Sequence, residues 1–155
     1  MNASLALVAD IGGTNARFAL ADISSGLPRL SRQETLPTSE YASLPHAAGH
    51  YLAKHRVKPA LASFAVACPV TGDEIRLTNR AWAFSQRELQ ASLGLRHQLV
   101  INDFGAAALA ALAIGDADRV VLHGTSDNQR RGPITVIGPG TGLGVALLVG
   151  DDRQG

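Results

Sequence analysis

A chain of 155 residues is one domain, or one domain and part of a second, and can bury roughly 70% of its unfolded surface. A net charge of +1 with scattered arginines excludes a field that would draw nucleic acid or a membrane surface. One cysteine excludes an internal disulfide framework and fits a reducing compartment, and the N-terminal apolar run, with no basic stretch before it and Asp10 within it, predicts neither a signal peptide nor a membrane span; a cytoplasmic location is the default.

The first predicted element is a strand, Leu5–Ile11, apolar nearly throughout as in a strand buried on both faces. A second strand, Ala16–Ala21, follows a tight Asp10-Ile11-Gly12-Gly13-Thr14 turn. Paired glycines allow positive φ and a close backbone approach to a ligand, and successive N–H groups in such a turn form an anion-binding concavity. Asp10 brings a carboxylate to the same place, which points to a metal–nucleotide site with Asp10 holding Mg2+ directly or through water. A plain Gly-Gly hairpin turn is the alternative. No Gly-Lys-Ser/Thr follows, so this is no Walker A loop; the adjacent glycines lead to a strand, so it is no Rossmann fingerprint either.

Arg29–Leu36 reads as a third antiparallel strand. Thr38 or Ser39 is a candidate N-cap for a helix from about Tyr41 to His55, whose start Pro45 shifts toward Leu44. His46 and His50 have metal-ligand spacing on that helix but no third ligand at helpful spacing, so solvated histidines are expected. Ala60–Cys68 reads as a buried strand, with Cys68 a buried thiol rather than a nucleophile. Glu74–Thr78 alternates like a half-exposed strand. Ser85 and Glu88 form a capping-box signature for a helix that ends at Gly94.

His97–Ile101 is predicted to be a short buried strand that ends in Asn102-Asp103 and feeds a helix from Ala106 to about Ala113. That places two polar side chains at a strand's C-terminal edge, where open α/β sheets bind ligands, and Asp103 is the residue type that accepts a proton from an attacking hydroxyl. A simple Asp cap of the helix is the alternative. Asp118–Leu122 reads as a short strand, and Ile134–Ile137 and Val145–Val149 as buried strands around Gly138-Pro139-Gly140-Thr141-Gly142-Leu143-Gly144. The strand–glycine–strand device of the N-terminus thus recurs, and two phosphate-cradling turns facing each other would grip a nucleotide from both sides of a cleft.

The segments Ala9–Arg17, Ala67–Asp73, Thr78–Ser85, Ile101–Phe104 and Gly138–Gly144, in this order, resemble bacterial glucokinases of the hexokinase-like, actin-type ATPase superfamily. The resemblance covers essentially all of the chain. Its first and last motifs are shared by many sugar kinases and ATPases; the middle ones together are specific to the glucokinase group. With one cysteine, the chain resembles the type that lacks the cysteine-rich zinc motif of the related repressor/kinase group.

The resemblance implies an α/β, ribonuclease H-like or actin-like ATPase fold: a mixed sheet with flanking helices, three antiparallel N-terminal strands and later parallel ones, plus the first strands of a second domain. Residues 1–112 would be the small N-terminal domain and 113–155 the incomplete start of the large one. It implies ATP-dependent phosphorylation of glucose at the 6-hydroxyl, with ATP and Mg2+. Asp10, Ile11, Gly12, Gly13, Thr14 and Asn15 would form the first phosphate loop, and Gly140, Thr141 and Gly142 the second. Asp103 would be the general base, Asn102 would hydrogen-bond sugar hydroxyls beside it, and Asn79 would line the sugar side. Family members run well past residue 155, so the chain is expected to be an N-terminal portion whose sugar pocket is completed elsewhere. The alternative is a truncated, catalytically incomplete fragment that only binds or dimerises. Exposed strand edges predict a homodimer or similar association, with glucose and ATP as partners and neither nucleic acid nor membrane.

Overall fold

The computed structural model describes residues 4–77, 82–124, 132–139 and 143–150. The chain divides into two compact units, Met1–Asp103 and Phe104–Gly155. The first contains β1 (Leu5–Ile11), β2 (Asn15–Asp22), β3 (Arg29–Pro37), α1 (Leu44–His55), β4 (Leu61–Val66), β5 (Glu74–Arg76), β6 (Ala83–Ser85), α2 (Gln86–Leu93) and β7 (His97–Asn102). Five strands form one sheet in the order β3-β2-β1-β4-β7, and β5 and β6 pair separately. The β1–β2 and β2–β3 pairs are antiparallel, whereas β1–β4 and β4–β7 are parallel. This is the expected mixed sheet.

Helix α1 shows how local chemistry sets an element. Leu44, Ala47, Ala48, Tyr51 and Leu52 are buried, a spacing that draws one apolar stripe along a helix. The predicted cap at Thr38 or Ser39 is not the one used. Thr38–Glu40 is a separate 3-10 turn, and the Ser43 side chain accepts the His46 N–H. Pro45 explains the shift: it lacks an N–H and fits only the first turn of a helix. The helix ends at Arg56 in the left-handed region (φ 53°), with Lys54 and His55 in the last turn, where cations favour the carbonyl end. Tyr51 stacks on Phe18 of β2 at 5.3 Å between ring centres, which seats the helix on the sheet. At α2 the expected signals hold: the Ser85 side chain accepts the Glu88 N–H, and Gly94 closes the helix at φ 65°.

Three expectations for this unit change. The strand expected over Glu74–Thr78 spans Glu74–Arg76 and stops before Leu77, with Thr78 outside the described residues; it pairs with β6, itself too short to show a period. The Ala60–Cys68 strand contracts to Leu61–Val66. Strand β7 is not buried throughout: among the described residues it is the outermost strand beside β4, with Val100 buried and Leu99 exposed.

The second unit begins within α3 (Asp103–Ala110), which starts three residues before the predicted helix, so that Asp103 is its first residue and no cap precedes Ala106. The strand expected over Asp118–Leu122 does not form. Asp116–Asp118 is a 3-10 turn, and Val120 and Leu122 stand exposed without a neighbouring strand among the described residues. Strands β8 (Ile134–Pro139) and β9 (Leu143–Leu148) pair antiparallel, with Gly138 opposite Gly144. They were expected to be buried, yet Ile137, Leu143, Val145 and Leu147 are all exposed, because no third strand covers this ribbon among the described residues.

A polar cluster ties β3 to the end of α1. Glu34 accepts a hydrogen bond from Lys54 Nζ, and its other oxygen lies 3.1 Å from His55 Nε2. Arg32 donates to the His55 carbonyl at 2.7 Å and accepts the Tyr51 hydroxyl at 2.8 Å. The Lys54 hydrogen bond, opposed by desolvation and reinforced by His55, holds the Glu34 carboxyl below its ordinary value. A depressed carboxyl pKa stabilises the fold above the unfolded-state value and loses that contribution as pH falls through the folded-state value. Glu34→Gln should therefore lower stability at neutral pH by roughly 1 kcal/mol. The gap from the parent should close as the pH is lowered from about 6 to about 3. Thermal melts of both proteins across that range check this; a gap independent of pH would contradict it.

Candidate functional site

Three parallel strands stand side by side in the order β1-β4-β7, and their registers coincide at the C-terminal ends. Ile11 pairs with Val66, and Val66 pairs with Asn102. Whatever follows each strand is thereby delivered to one sheet edge: the glycine turn after β1, Ala67-Cys68 after β4, and Asn102-Asp103 at the end of β7. Two strand spacings put the first and last of these about 10 Å apart. The edge is cross-tied: the Ala67 N–H donates to the Ile11 carbonyl at 3.0 Å, and Asn102 Nδ2 donates to the Cys68 carbonyl at 3.1 Å. Asp10, Gly12, Gly13, Thr14, Asn102 and Asp103 are therefore all carried by the same edge of one sheet.

The glycine turn does not use the conformational freedom its glycines allow. Neither Gly12 nor Gly13 has positive φ. Among the described residues a Cβ on Gly12 would meet the Asn15 carbonyl, at 3.4 Å, an ordinary contact, so the turn is tight through its hydrogen bonds. The Gly12 N–H donates to the Asn15 carbonyl at 2.9 Å. From the end of β3 the Thr38 N–H donates to the Thr14 carbonyl at 2.9 Å, and the Thr38 hydroxyl donates to the Gly13 carbonyl at 2.8 Å. Thr38 is 1% exposed, so these bonds are made out of water, where losing one costs most. Two carbonyls of the turn are thus turned toward Thr38. Sequence reasoning missed this residue because a single Thr after a strand reads as a cap.

Asp10 sits opposite Arg17 in the β1–β2 register, and Arg17 Nη1 lies 2.8 Å from its carboxylate. Asp103 makes itself felt at Cys68: burial first, and the negative charge of Asp103 second, push the thiol pKa above its ordinary value. Cys68 is thus the buried, inert thiol expected. Among the described residues no group of three His, Cys, Asp or Glu side chains could cage a metal. A lone Asp10 carboxylate does fit a Mg2+ that arrives on nucleotide phosphates and keeps most of its own waters. His46 and His50 are occupied otherwise, the first with the Ser43 hydroxyl at 3.1 Å and the second against the Tyr41 ring.

Two of the motifs are structural where they can be seen. In the 69–73 loop, Gly72 takes φ 134°, and Asp73 accepts the Ser85 hydroxyl at 2.7 Å and the Arg87 N–H at 3.1 Å. The Ser85 bond first, then the Arg87 N–H, holds the Asp73 carboxyl below its ordinary value. The loop is thereby fastened to the start of α2. Trp82 is buried and donates Nε1–H to the Tyr41 carbonyl at 2.9 Å, anchoring the β5–β6 pair. Asn79, Gly140, Thr141 and Gly142 lie outside the described residues.

The Thr38 brace generates a prediction. Thr38→Val keeps the shape and removes the hydroxyl, so it should destabilise by about 1–3 kcal/mol. It should also speed amide hydrogen exchange through 12–15, while Thr38→Ser stays near the parent. Equal exchange in the valine variant would show that the hydroxyl does not hold the turn.

A family profile described as Glucokinase matches residues 7–155. The chain is 44% identical to a glucokinase of Yersinia enterocolitica over 151 residues, covering 97% of this chain and 46% of that protein. Among solved structures, a glucokinase from an Antarctic psychrotroph superposes with a TM-score of 0.84 at 39% identity, covering 97% of this chain and 48% of the other. A Streptomyces griseus protein described as a ROK family glucokinase in complex with glucose and AMPPNP shares the fold, with a TM-score of 0.67 at 21% identity, and the match covers 97% of this chain and 46% of that one. The chain spans about half the length of the curated relatives it matches. On the profile match, which runs through nearly all of its residues, the chain belongs to the glucokinase family.

Proposed function

We propose that these residues form the phosphate-turn and base-bearing part of an ATP-dependent glucose kinase, which transfers the γ-phosphoryl group of ATP to the sugar 6-hydroxyl. The observation that carries the reading is the row of strand ends that gathers the glycine turn and Asn102-Asp103 on one edge. Asp10 to Asn15 would receive ATP phosphates on backbone N–H groups, with Gly140, Thr141 and Gly142 as the second phosphate turn. Asp103 would take the proton as the sugar oxygen attacks, typically worth about 10² to 10⁴-fold in rate. Asn102, held by the Cys68 carbonyl, would orient sugar hydroxyls beside it, and Asn79 would complete the sugar side.

Asp10 would hold Mg2+, directly or through water, in exchange for part of its pairing with Arg17. When bound, the metal neutralises charge on the β- and γ-phosphates. Residues 1–112 would be the small domain and 113–155 the start of the large one. The near-neutral charge and single cysteine support action in the cytoplasm, away from nucleic acid and membrane, and the partners would be glucose and ATP. No described helix is long and apolar enough to cross a membrane.

A second reading has its own support. The exposed Ile137, Leu143, Val145 and Leu147 of β8–β9 are an open apolar ribbon, so the 155-residue chain by itself would be catalytically incomplete and would self-associate through strand edges.

A coupled assay for glucose 6-phosphate decides between them, run on the 155-residue chain and on a chimaera that continues it with the C-terminal half of the Yersinia enterocolitica relative. The chimaera is expected to turn over and the short chain not to; a silent chimaera would overturn the kinase reading. In the chimaera, Asp103→Ala should lower kcat by at least about 10²-fold while glucose still binds. Undiminished kcat would remove Asp103 as the base. Asp10→Ala should weaken Mg-nucleotide binding far more than glucose binding, and equal losses would make Asp10 a structural residue.

A further inference from the structure

Phe104 is the second residue of α3, directly after Asp103, and the kinase reading gives it no part. Its ring lies on the β8–β9 ribbon at a place prepared for it. A Cβ built on Gly144 would stand 1.8 Å from the Cε2 and Cζ carbons of the ring, and one built on Gly138 would stand 2.8 Å from Cε1 and the same Cζ. Real Cβ atoms do not approach that closely, so neither position accepts even alanine unless the ring moves. Gly138 and Gly144 are register partners, opposite each other across the two strands. A glycine pair within a ribbon is costly, because glycine weakens a strand and leaves a hole in its surface. Neither glycine has positive φ, so backbone conformation does not require them. The ring does: it fills the hole left by two missing side chains, as aromatic residues do over strand glycines.

The pair also frames the second glycine turn. Gly138 stands two residues before Gly140, and Gly144 two residues after Gly142. One side chain therefore joins the first turn of α3 to the base of the second turn. We propose that Phe104 is a positioning residue: its ring, seated on the Gly138–Gly144 pair, fixes the start of α3 and so the placement of the Asp103 carboxylate beside it. The inference rests on the reading of Asp103 as the base. Displacing a reacting group by about 1 Å is enough to cost about 10²-fold in rate, so a seat that sets the helix start by fractions of an ångström matters to turnover.

The test is a double-substitution cycle in the chimaera, with folding checked by circular dichroism. Phe104→Ala should lower kcat by about 10- to 100-fold and leave glucose Kd within about threefold, since it misplaces the base without removing a sugar contact. Phe104→Tyr, which keeps the ring, should retain most of kcat. Gly144→Ala, which displaces the ring from the other side, should reproduce the kcat loss by itself. The double variant Phe104→Ala with Gly144→Ala should be no worse than the poorer single, because both changes remove the same seat. Additive losses, or an unchanged kcat in Phe104→Ala, would overturn the proposal. So would a kcat loss matched by equal losses of glucose affinity and thermal stability, which is what mere packing would give. Should Phe104→Ala fail to fold, Gly144→Ala alone decides the point in the same way. Asp103→Asn is measured beside them: if it is inactive while Phe104→Ala is normal, only this inference falls, and if it is active, the base reading falls and takes this inference with it.

Discussion

The shared register of β1, β4 and β7 is the constraint on which the rest of the site depends. Parallel strands bring equivalent ends to the same edge, and here Ile11, Val66 and Asn102 form one row. Since side chains alternate along a strand, a slip of one residue in either pairing would turn its buried set outward and carry Asn102 out of line with the glycine turn. The apolar content of β1 and β4 fixes that register: Leu7, Ile11, Phe64 and Val66 are fully buried, so any slip would expose them. Core packing and site geometry are consequently the same requirement.

On that frame the functional groups are held by hydrogen bonds. Thr38 fixes two carbonyls of the glycine turn from the end of β3, and Asn102 is tied to the Cys68 carbonyl after β4. Phosphoryl transfer asks a protein mainly to position groups and stabilise charge. Asp10 on β1 and Asp103 directly after β7 stand at opposite ends of the row, a separation that would suit the two tasks proposed for them.

Much of this was legible in the residues. The buried run Leu5–Ile11, the Gly-Gly turn, the Ser85/Glu88 cap with Gly94, and Asn102-Asp103 at a strand end each carry a local signal that the structure repeats. What was not legible depends on partners distant in sequence. Strand β6 is three residues long and exists only because β5 is beside it. The expected strand after Asp118 has the composition of one but no neighbour to pair with among the described residues. Thr38 looked like a cap because its two acceptors, the Gly13 and Thr14 carbonyls, come from a turn more than twenty residues away. The glycines of the first turn do not use the positive φ that glycine allows, whereas Gly138 and Gly144 make room for a ring.

The most direct test of the central claim is a residue-resolved one. Amide NMR spectra of the chimaera, labelled with nitrogen-15 and titrated first with glucose and then with Mg-AMPPNP, report where each ligand lands. Glucose is expected to shift the amides of Asn102, Asp103 and their neighbours, and the nucleotide then those of Gly12, Gly13 and Thr14, with the two sets meeting along the ends of β1, β4 and β7. Binding of both ligands with no change at that edge would contradict the claim.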